Sequence, residues 1–366
     1  MQFLYLLEKI RNPVFDWFFS LITHIGEEVF FLALAIIFFW CIDKRRGYYI
    51  LTVGLVGTLV NQVLKLAFRI ERPWVRDPDF TIVESARAEA TGYSFPSGHT
   101  QNVAGTFGTI AISSKSRPVR IISVALIALV AFSRMYLGVH TPLDVVVSLA
   151  VAAALSFALY PIFKSEERFE KLMPFVVFGS CLLSIGFVLF VSMTQTGLHN
   201  AANLASATKN AYTLIGCTAG LVVVYTVDSE WLKFDTRATW YAQIIKLALG
   251  LGIVFLIKSG LSAPLVSLFK NEYIARAVRY FLIVIFAGIL WPLTFRLFAK
   301  LRIGFLDRFT SSLKDKHRTR AMARVEKKRI LSLTPEERAE REASMPKVQK
   351  TAWIEKKKKR ERRKRK

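Results

Sequence analysis

An all-α, polytopic transmembrane helical bundle with about nine spans and a basic cytoplasmic tail is the fold class that the sequence predicts. Three observations predict it. Of the 366 residues, 53% are hydrophobic and the mean hydropathy is +0.35, a balance more apolar than soluble domains usually carry. The apolar residues fall in long charge-free runs, among them LALAIIFFWCI, IISVALIALVAF and VVVSLAVAAALSFALY. With their flanks these reach the roughly 17–25 residues that a membrane helix needs. Charge is also segregated: residues 300–366 hold 25 Lys and Arg against 9 Asp and Glu, so most of the net +24 lies in the tail.

The chain opens on MQFLYLLEKIRNP, where Glu8, Lys9 and Arg11 interrupt too early for a signal-peptide core. Residues 1–24 read as an amphipathic helical region lying in the membrane interface. Spans are expected near 27–42, 48–69, 99–114, 119–136, 143–163, 172–193, 207–227, 240–258 and 275–298. The first is short and can borrow residues from the preceding VFDWFFSLITHIGEE. The loops DKRRG, SSKSRPVR and KSEERFEK share one side with the loop around Lys233 and with the tail, and the positive-inside rule makes that side cytoplasmic. The loop 70–98, the turn near His140 and TQTGLHNAAN fall on the exoplasmic side.

This divides the chain into a membrane core over 25–165, additional transmembrane helices over 172–299, and a partly disordered basic tail over 300–366. Within the tail, LTPEERAERE marks a helix start. A polar, aromatic-poor, basic segment tethered beside the inner leaflet suits anionic lipid headgroups better than any specific nucleic acid. Cys41, Cys181 and Cys217 sit inside apolar runs without metal-ligand spacing and read as small buried hydrophobes. Lys246 and Lys258 bracket the span KLALGLGIVFLIKSGL and read as snorkelling to the interface. His24, His199 and His317 are isolated and read as solvated or capping residues. No glycine-rich nucleotide-binding loop is present.

Ionisable residues at membrane depth are costly, so clusters of them mark a site. Three clusters lie at the exoplasmic ends of spans: KLAFRIERP with Lys65, Arg72 and Pro73; PSGH with Pro96, Ser97, Gly98 and His99; and SRMYLGVHTPLD with Ser133, Arg134, His140 and Asp144. Lys65, Arg72 and Arg134 are cations, and arginine offers a planar fork matched to phosphate oxygens. Ser97 brings a hydroxyl and Gly98 a closely approachable N–H. His99 opens a helix, whose N-terminus favours an anion. His140 and Asp144 are four residues apart, so on a helical turn the carboxylate can orient the imidazole. An anion cradle beside a nucleophile or base and an acid is a phosphoryl-transfer site by type.

The pattern Lys-x6-Arg-Pro, Pro-Ser-Gly-His and Ser-Arg-x5-His-x3-Asp resembles the three-part signature of the type 2 phosphatidic acid phosphatase superfamily, and all three parts match. The resemblance covers roughly residues 25–165, and the remainder is similar to an extension of some bacterial members. It implies an integral-membrane lipid phosphate or diphosphate phosphohydrolase in which His140 forms a phosphohistidine, Asp144 holds its ring and His99 serves as acid, then base. Lys65, Arg72, Ser97, Gly98 and Arg134 would hold the phosphoryl oxygens, with no metal and no cofactor. A phosphotransferase would use the same site, and a non-catalytic carrier or scaffold would have an eroded one. The haloperoxidases of the superfamily are soluble, which sets them apart from this membrane body. Polyprenyl diphosphate, phosphatidate, phosphatidylglycerol phosphate and long-chain base phosphates all suit such a cradle, and residues 75–97 are expected to govern access.

Overall fold

The structure is a computed structural model that describes residues 1–194 and 200–308, with isolated positions beyond them (310, 312, 319, 322, 325, 334 and 337). His199, His317, part of TQTGLHNAAN and most of the tail lie outside the described residues. The chain divides into two units, Met1–Leu301 and Arg302–Lys366. Among the described residues the first unit is helical, with no strand.

Its helices begin and end where local chemistry dictates. After α1 (Gln2–Lys9), α2 (Pro13–Thr23) starts on a proline behind Asn12, whose side chain accepts from Phe15 N at 3.1 Å, the arrangement that spares orphan N–H groups. α3 (Glu28–Ile37) runs into a π-helical turn at Phe38–Ile42. α4 (Lys44–Phe68) is capped by Asp43, which accepts from Arg46 N at 3.1 Å, and stops at Arg69 in the left-handed region (φ 54). α5 (Pro73–Arg76) is a single turn in the long loop. α6 (Gly98–Ser113), α7 (Arg117–Tyr136) and α8 (Pro142–Lys164) complete the first half, and α9 (Glu166–Met193) and α10 (Ala201–Val227) follow. α11 (Trp240–Gly260), α12 (Ser262–Phe269), α13 (Glu272–Ile285) and α14 (Phe295–Lys300) close the unit.

Every expected span falls on helical residues, the last of them on α13, the turns that follow it and α14. Among the described residues seven helices are long and apolar enough to cross a membrane, and Pro13–Gly26 with Glu28–Ile42, a pair bent by 51°, makes an eighth if it forms one span. The residues that the short first span can borrow, Pro13–Gly26, are helical and bent by 51° against it. The expected span near 99–114 is α6, only 16 residues long. It is short because its cap, Ser97, is fully buried, so the helix begins inside the bundle.

α6 is the hub, packed on α4, α7 and α8, while α10 packs on α9 and α13. At Gly216 of α10 a Cβ would stand 2.2 Å from Ala277 O of α13, so only glycine lets these two backbones touch. An aromatic core with Trp40, Tyr48, Tyr225, Trp291 and Phe295 joins the first helices to the second half. At the other end of the bundle, α1 grips the long loop. Leu4, fully buried, packs on Phe80 and Ile82, Tyr5 Oη donates to Asp77 Oδ2 at 2.9 Å, and Arg11 donates to Thr81 O at 2.8 Å and Tyr136 O at 3.0 Å.

Two expectations need correction. Lys246 does not snorkel: it is 1% exposed, and its Nζ donates to Trp40 O at 2.7 Å and Thr236 O at 3.3 Å above the Phe295 ring. Trp40 lies in the last turn of its helix, where carbonyls lack an intrahelical donor, and the lysine supplies one. Lys258 is exposed. Cys41, Cys181 and Cys217 are free thiols that are half-buried rather than core residues. Cys41 packs at the edge of the aromatic core.

In the second unit, Thr334 and Glu337 of LTPEERAERE exchange capping-box bonds, Thr334 N to Glu337 Oε2 at 2.7 Å and Glu337 N to Thr334 Oγ1 at 3.3 Å.

Candidate active site

The site is built from helix ends. Ser97 caps α6, its Oγ accepting from Thr100 Oγ1 at 2.9 Å and Thr100 N at 3.4 Å. Thr141 caps α8 in a capping box: its Oγ1 accepts from Asp144 N at 3.3 Å while Asp144 Oδ2 accepts from Thr141 N at 2.8 Å. The two starts are tied together, since Ser97 N donates to Asp144 O at 3.1 Å and Ser148 Oγ donates to both Ser97 O (2.9 Å) and Asp144 O (2.8 Å). The turn from α7 into α8 reverses at Gly138 with φ 81, a conformation that glycine adopts without strain. It delivers His140 back to α7, where His140 N donates to Arg134 O at 3.3 Å.

His140 therefore precedes α8 and does not share a helical turn with Asp144. The two still meet, because Asp144 curls back to cap the helix: Nδ1 lies 3.4 Å from Asp144 Oδ2. Arg72 Nη1 donates to His140 Nε2 at 3.0 Å. A guanidinium can only donate, so Nε2 holds the lone pair and the proton sits on Nδ1, facing Asp144. The imidazole, in the turn between two spans, is held below its ordinary pKa by burial and then by the charge of Arg72. It rests neutral, with the Nε2 lone pair turned toward Arg72 Nη1.

Arg72 is also anchored to backbone: Nε donates to Gly92 O at 3.1 Å, Nη2 to Thr91 O at 2.7 Å and Nη1 to Val139 O at 3.0 Å. Lys65 Nζ donates to Tyr93 O and, at 3.5 Å, to Ser94 O. Arg134 is fully buried; Nη1 donates to Thr23 Oγ1 at 2.7 Å, whereas Nε and Nη2 have no hydrogen-bond partner among the described residues. His99 packs on Gly26, and its buried Nε2 likewise carries no hydrogen bond. No hydrogen bond links His99 to His140 among the described residues.

Three cations, Lys65 (7% exposed), Arg72 (5%) and Arg134 (0%), are thus buried, as is the carboxylate of Asp144. None of the three forms an ion pair among the described residues. Buried unpaired charge is destabilising unless an anion meets it. The arrangement suits a phosphate ester with a histidine placed against it.

Two participants escaped the sequence reading. Ser94 Oγ donates to Asp144 Oδ2 at 2.6 Å and lies 3.5 Å from His140 Nδ1, so it helps hold the carboxylate. Thr23 anchors Arg134. Ser94 stands three residues before Ser97 in SFPSGH, which was a local signal; Thr23 offered none.

Buried cations and histidines gathered at the ends of membrane helices suit the class of membrane-embedded phosphatases, and comparison with known proteins points to the same class. Residues 45–168 match the family model described as the PAP2 superfamily, and residues 212–302 match the one described as PAP2 superfamily phosphatase, transmembrane extension. The chain belongs to the PAP2 superfamily. It is similar to a probable sphingosine-1-phosphate phosphatase of Dictyostelium discoideum, 30% identical over 159 residues, 40% of this chain and 38% of that protein. It is also similar to phosphatidylglycerophosphatase B of Bacillus subtilis, 30% identical over 177 residues, 44% of this chain and 82% of that one. Undecaprenyl-diphosphatase BcrC of the same bacterium is 30% identical over 169 residues, 45% and 81% of the two chains. The chain spans less than two thirds of the sphingosine-1-phosphate phosphatases it matches, 38% in the Dictyostelium case.

Proposed function

We propose that this multi-pass membrane protein hydrolyses a lipid phosphate or lipid diphosphate through a phosphohistidine on His140. The observation that carries this reading is His140, its Nε2 against Arg72 Nη1, in a buried cluster with three cations and one carboxylate. In the first step the Nε2 lone pair attacks phosphorus, the P–O bond to the lipid breaks, and His99 gives its proton to the leaving oxygen. In the second, His99 takes a proton from water as its oxygen bonds to phosphorus; the N–P bond breaks and its electrons return to Nε2. Asp144, steadied by Ser94 and the Thr141 N–H, stabilises the imidazolium side of the ring. Charge on the equatorial oxygens falls to Lys65, Arg72 and Arg134, with Ser97 Oγ and the N–H groups at the start of α6 as further donors.

The cations supply the charge that a metal ion contributes elsewhere, so turnover is expected to survive excess EDTA and to be blocked by orthovanadate. The test is phosphate release by the purified full-length chain from sphingoid-base phosphate, phosphatidylglycerophosphate, phosphatidate and polyprenyl diphosphate. The named relatives support three of these four as candidates. Activity lost on chelation and restored by Mg²⁺ or Zn²⁺ would overturn the metal-free step.

The site is read as exoplasmic, with the basic tail cytoplasmic and drawn to anionic inner-leaflet lipids. A cysteine introduced between residues 78 and 90 is expected to react with an impermeant thiol reagent on intact cells, and one near residue 116 only after permeabilisation. The reverse pattern would place the chemistry on the cytoplasmic face.

A further inference from the structure

Asn61 stands on α4 one helical turn before Lys65 and is 2% exposed. Neither its Oδ1 nor its Nδ2 has a hydrogen-bond partner among the described residues. Its place is specific. A Cβ built on Gly98 would meet Asn61 Oδ1 at 4.0 Å and, its chain neighbours and its own helix's backbone aside, no other heavy atom within that distance. The amide thus borders the first residue of α6, where the backbone N–H groups leave the helix without intrahelical acceptors. A buried amide with no partner destabilises a fold, and an apolar side chain of similar volume would not. An oxyanion at the start of α6 would supply the partner that this amide lacks among the described residues.

We propose that Asn61 is a further phosphate-binding residue, its Nδ2 donating to a phosphoryl oxygen held at the N-terminus of α6. A half-turn of the amide presents Nδ2 where Oδ1 now lies, at no change in volume. The neutral amide adds a donor without adding another cation to a pocket that already holds three. The ligand class is a tetrahedral oxyanion, which the site reading above makes the terminal phosphate of a lipid, and the proposal rests on that reading.

Gln101 provides an internal control. It is also 2% exposed with both amide atoms unpartnered, but it lies one turn further along α6, against Gly57. If the buried amides serve only helix packing, Asn61 and Gln101 should behave alike.

The experiment compares Asn61→Leu, Asn61→Asp and Gln101→Leu with the full-length protein in detergent, using orthovanadate as the probe. Vanadate affinity is read from inhibition and, independently of turnover, from its shift of the melting temperature. Asn61→Leu is expected to melt no lower than wild type yet to lose about 10- to 100-fold in kcat/KM and in vanadate affinity, the range of one hydrogen bond to a charged group. The near-isosteric Asn61→Asp is expected to lose more, because a carboxylate repels the anion. Gln101→Leu is expected to keep both quantities within about twofold. Wild-type vanadate affinity in both Asn61 variants, or equal losses at Asn61 and Gln101, would overturn the proposal. A wild-type protein that binds vanadate but releases no phosphate from any lipid would instead sink the hydrolase reading and leave the Asn61 comparison standing.

Discussion

Replacing His140 with alanine is expected to lower phosphate release by about four orders of magnitude or more while the chain stays folded and inserted. The loss should be this large because no neighbour can stand in for Nε2. Arg72 has only donors, and Asp144 Oδ2 is engaged by Thr141 N and Ser94 Oγ. The structural effect should be small, since Arg72 Nη1 keeps Val139 O when the imidazole is gone. Asp144→Asn should lose less, about 10²-fold or more, because an amide still caps α8 but no longer favours the Nδ1–H tautomer or its imidazolium. The measurement is phosphate release together with a phosphoprotein trapped in rapid quench, acid-labile in wild type and absent from His140→Ala. Near wild-type turnover by His140→Ala would end the covalent mechanism.

The second large effect is expected at Arg72, where lysine keeps the charge but loses the fork. Removing one oriented donor from a transition-state pocket typically lowers the rate about 10²- to 10³-fold. Arg72→Lys removes several at once, so a fall of about 10³-fold in kcat/KM is expected. A single ammonium cannot serve Thr91 O, Gly92 O, Val139 O and the His140 edge together. Carbonyls left without a donor weaken the loop, each by about 1–3 kcal/mol if it stays buried. Faster proteolysis between residues 77 and 90 should accompany the kinetic loss. A variant within tenfold of wild type would show that charge alone, without the bidentate geometry, is what the pocket uses.

Much of this molecule is legible in its sequence. Long apolar runs marked the helices, because a membrane rewards apolar length in any tertiary context. Lys65, Arg72, Arg134, His99, His140 and Asp144 stood out because charge among such runs is costly and therefore conspicuous. Helix starts at Ser97 and Thr141 are legible for a related reason: a cap acts over three residues of chain, as Thr100 and Asp144 show. The same locality misled at His140, where a four-residue spacing suggests one helical face and the chain instead enters the helix only after the imidazole.

Whatever joins distant segments was decided by the tertiary structure alone. Ser94 meets Asp144 across 50 residues and Thr23 meets Arg134 across 111, and nothing in the sequence near either residue announces its partner. Lys246 has the spacing of a snorkelling lysine and becomes a buried donor because the π-helical turn after α3 leaves Trp40 O beside it. Asn61 looks like an ordinary polar residue in a span until α6 brings Gly98 against it. Sequence alone determined which residues a bilayer would not tolerate without a purpose. Only the packing of α4, α6, α7 and α8 determined that they face one another, because hydrogen bonds act over about 3 Å in space while the chain order separates their partners by whole helices.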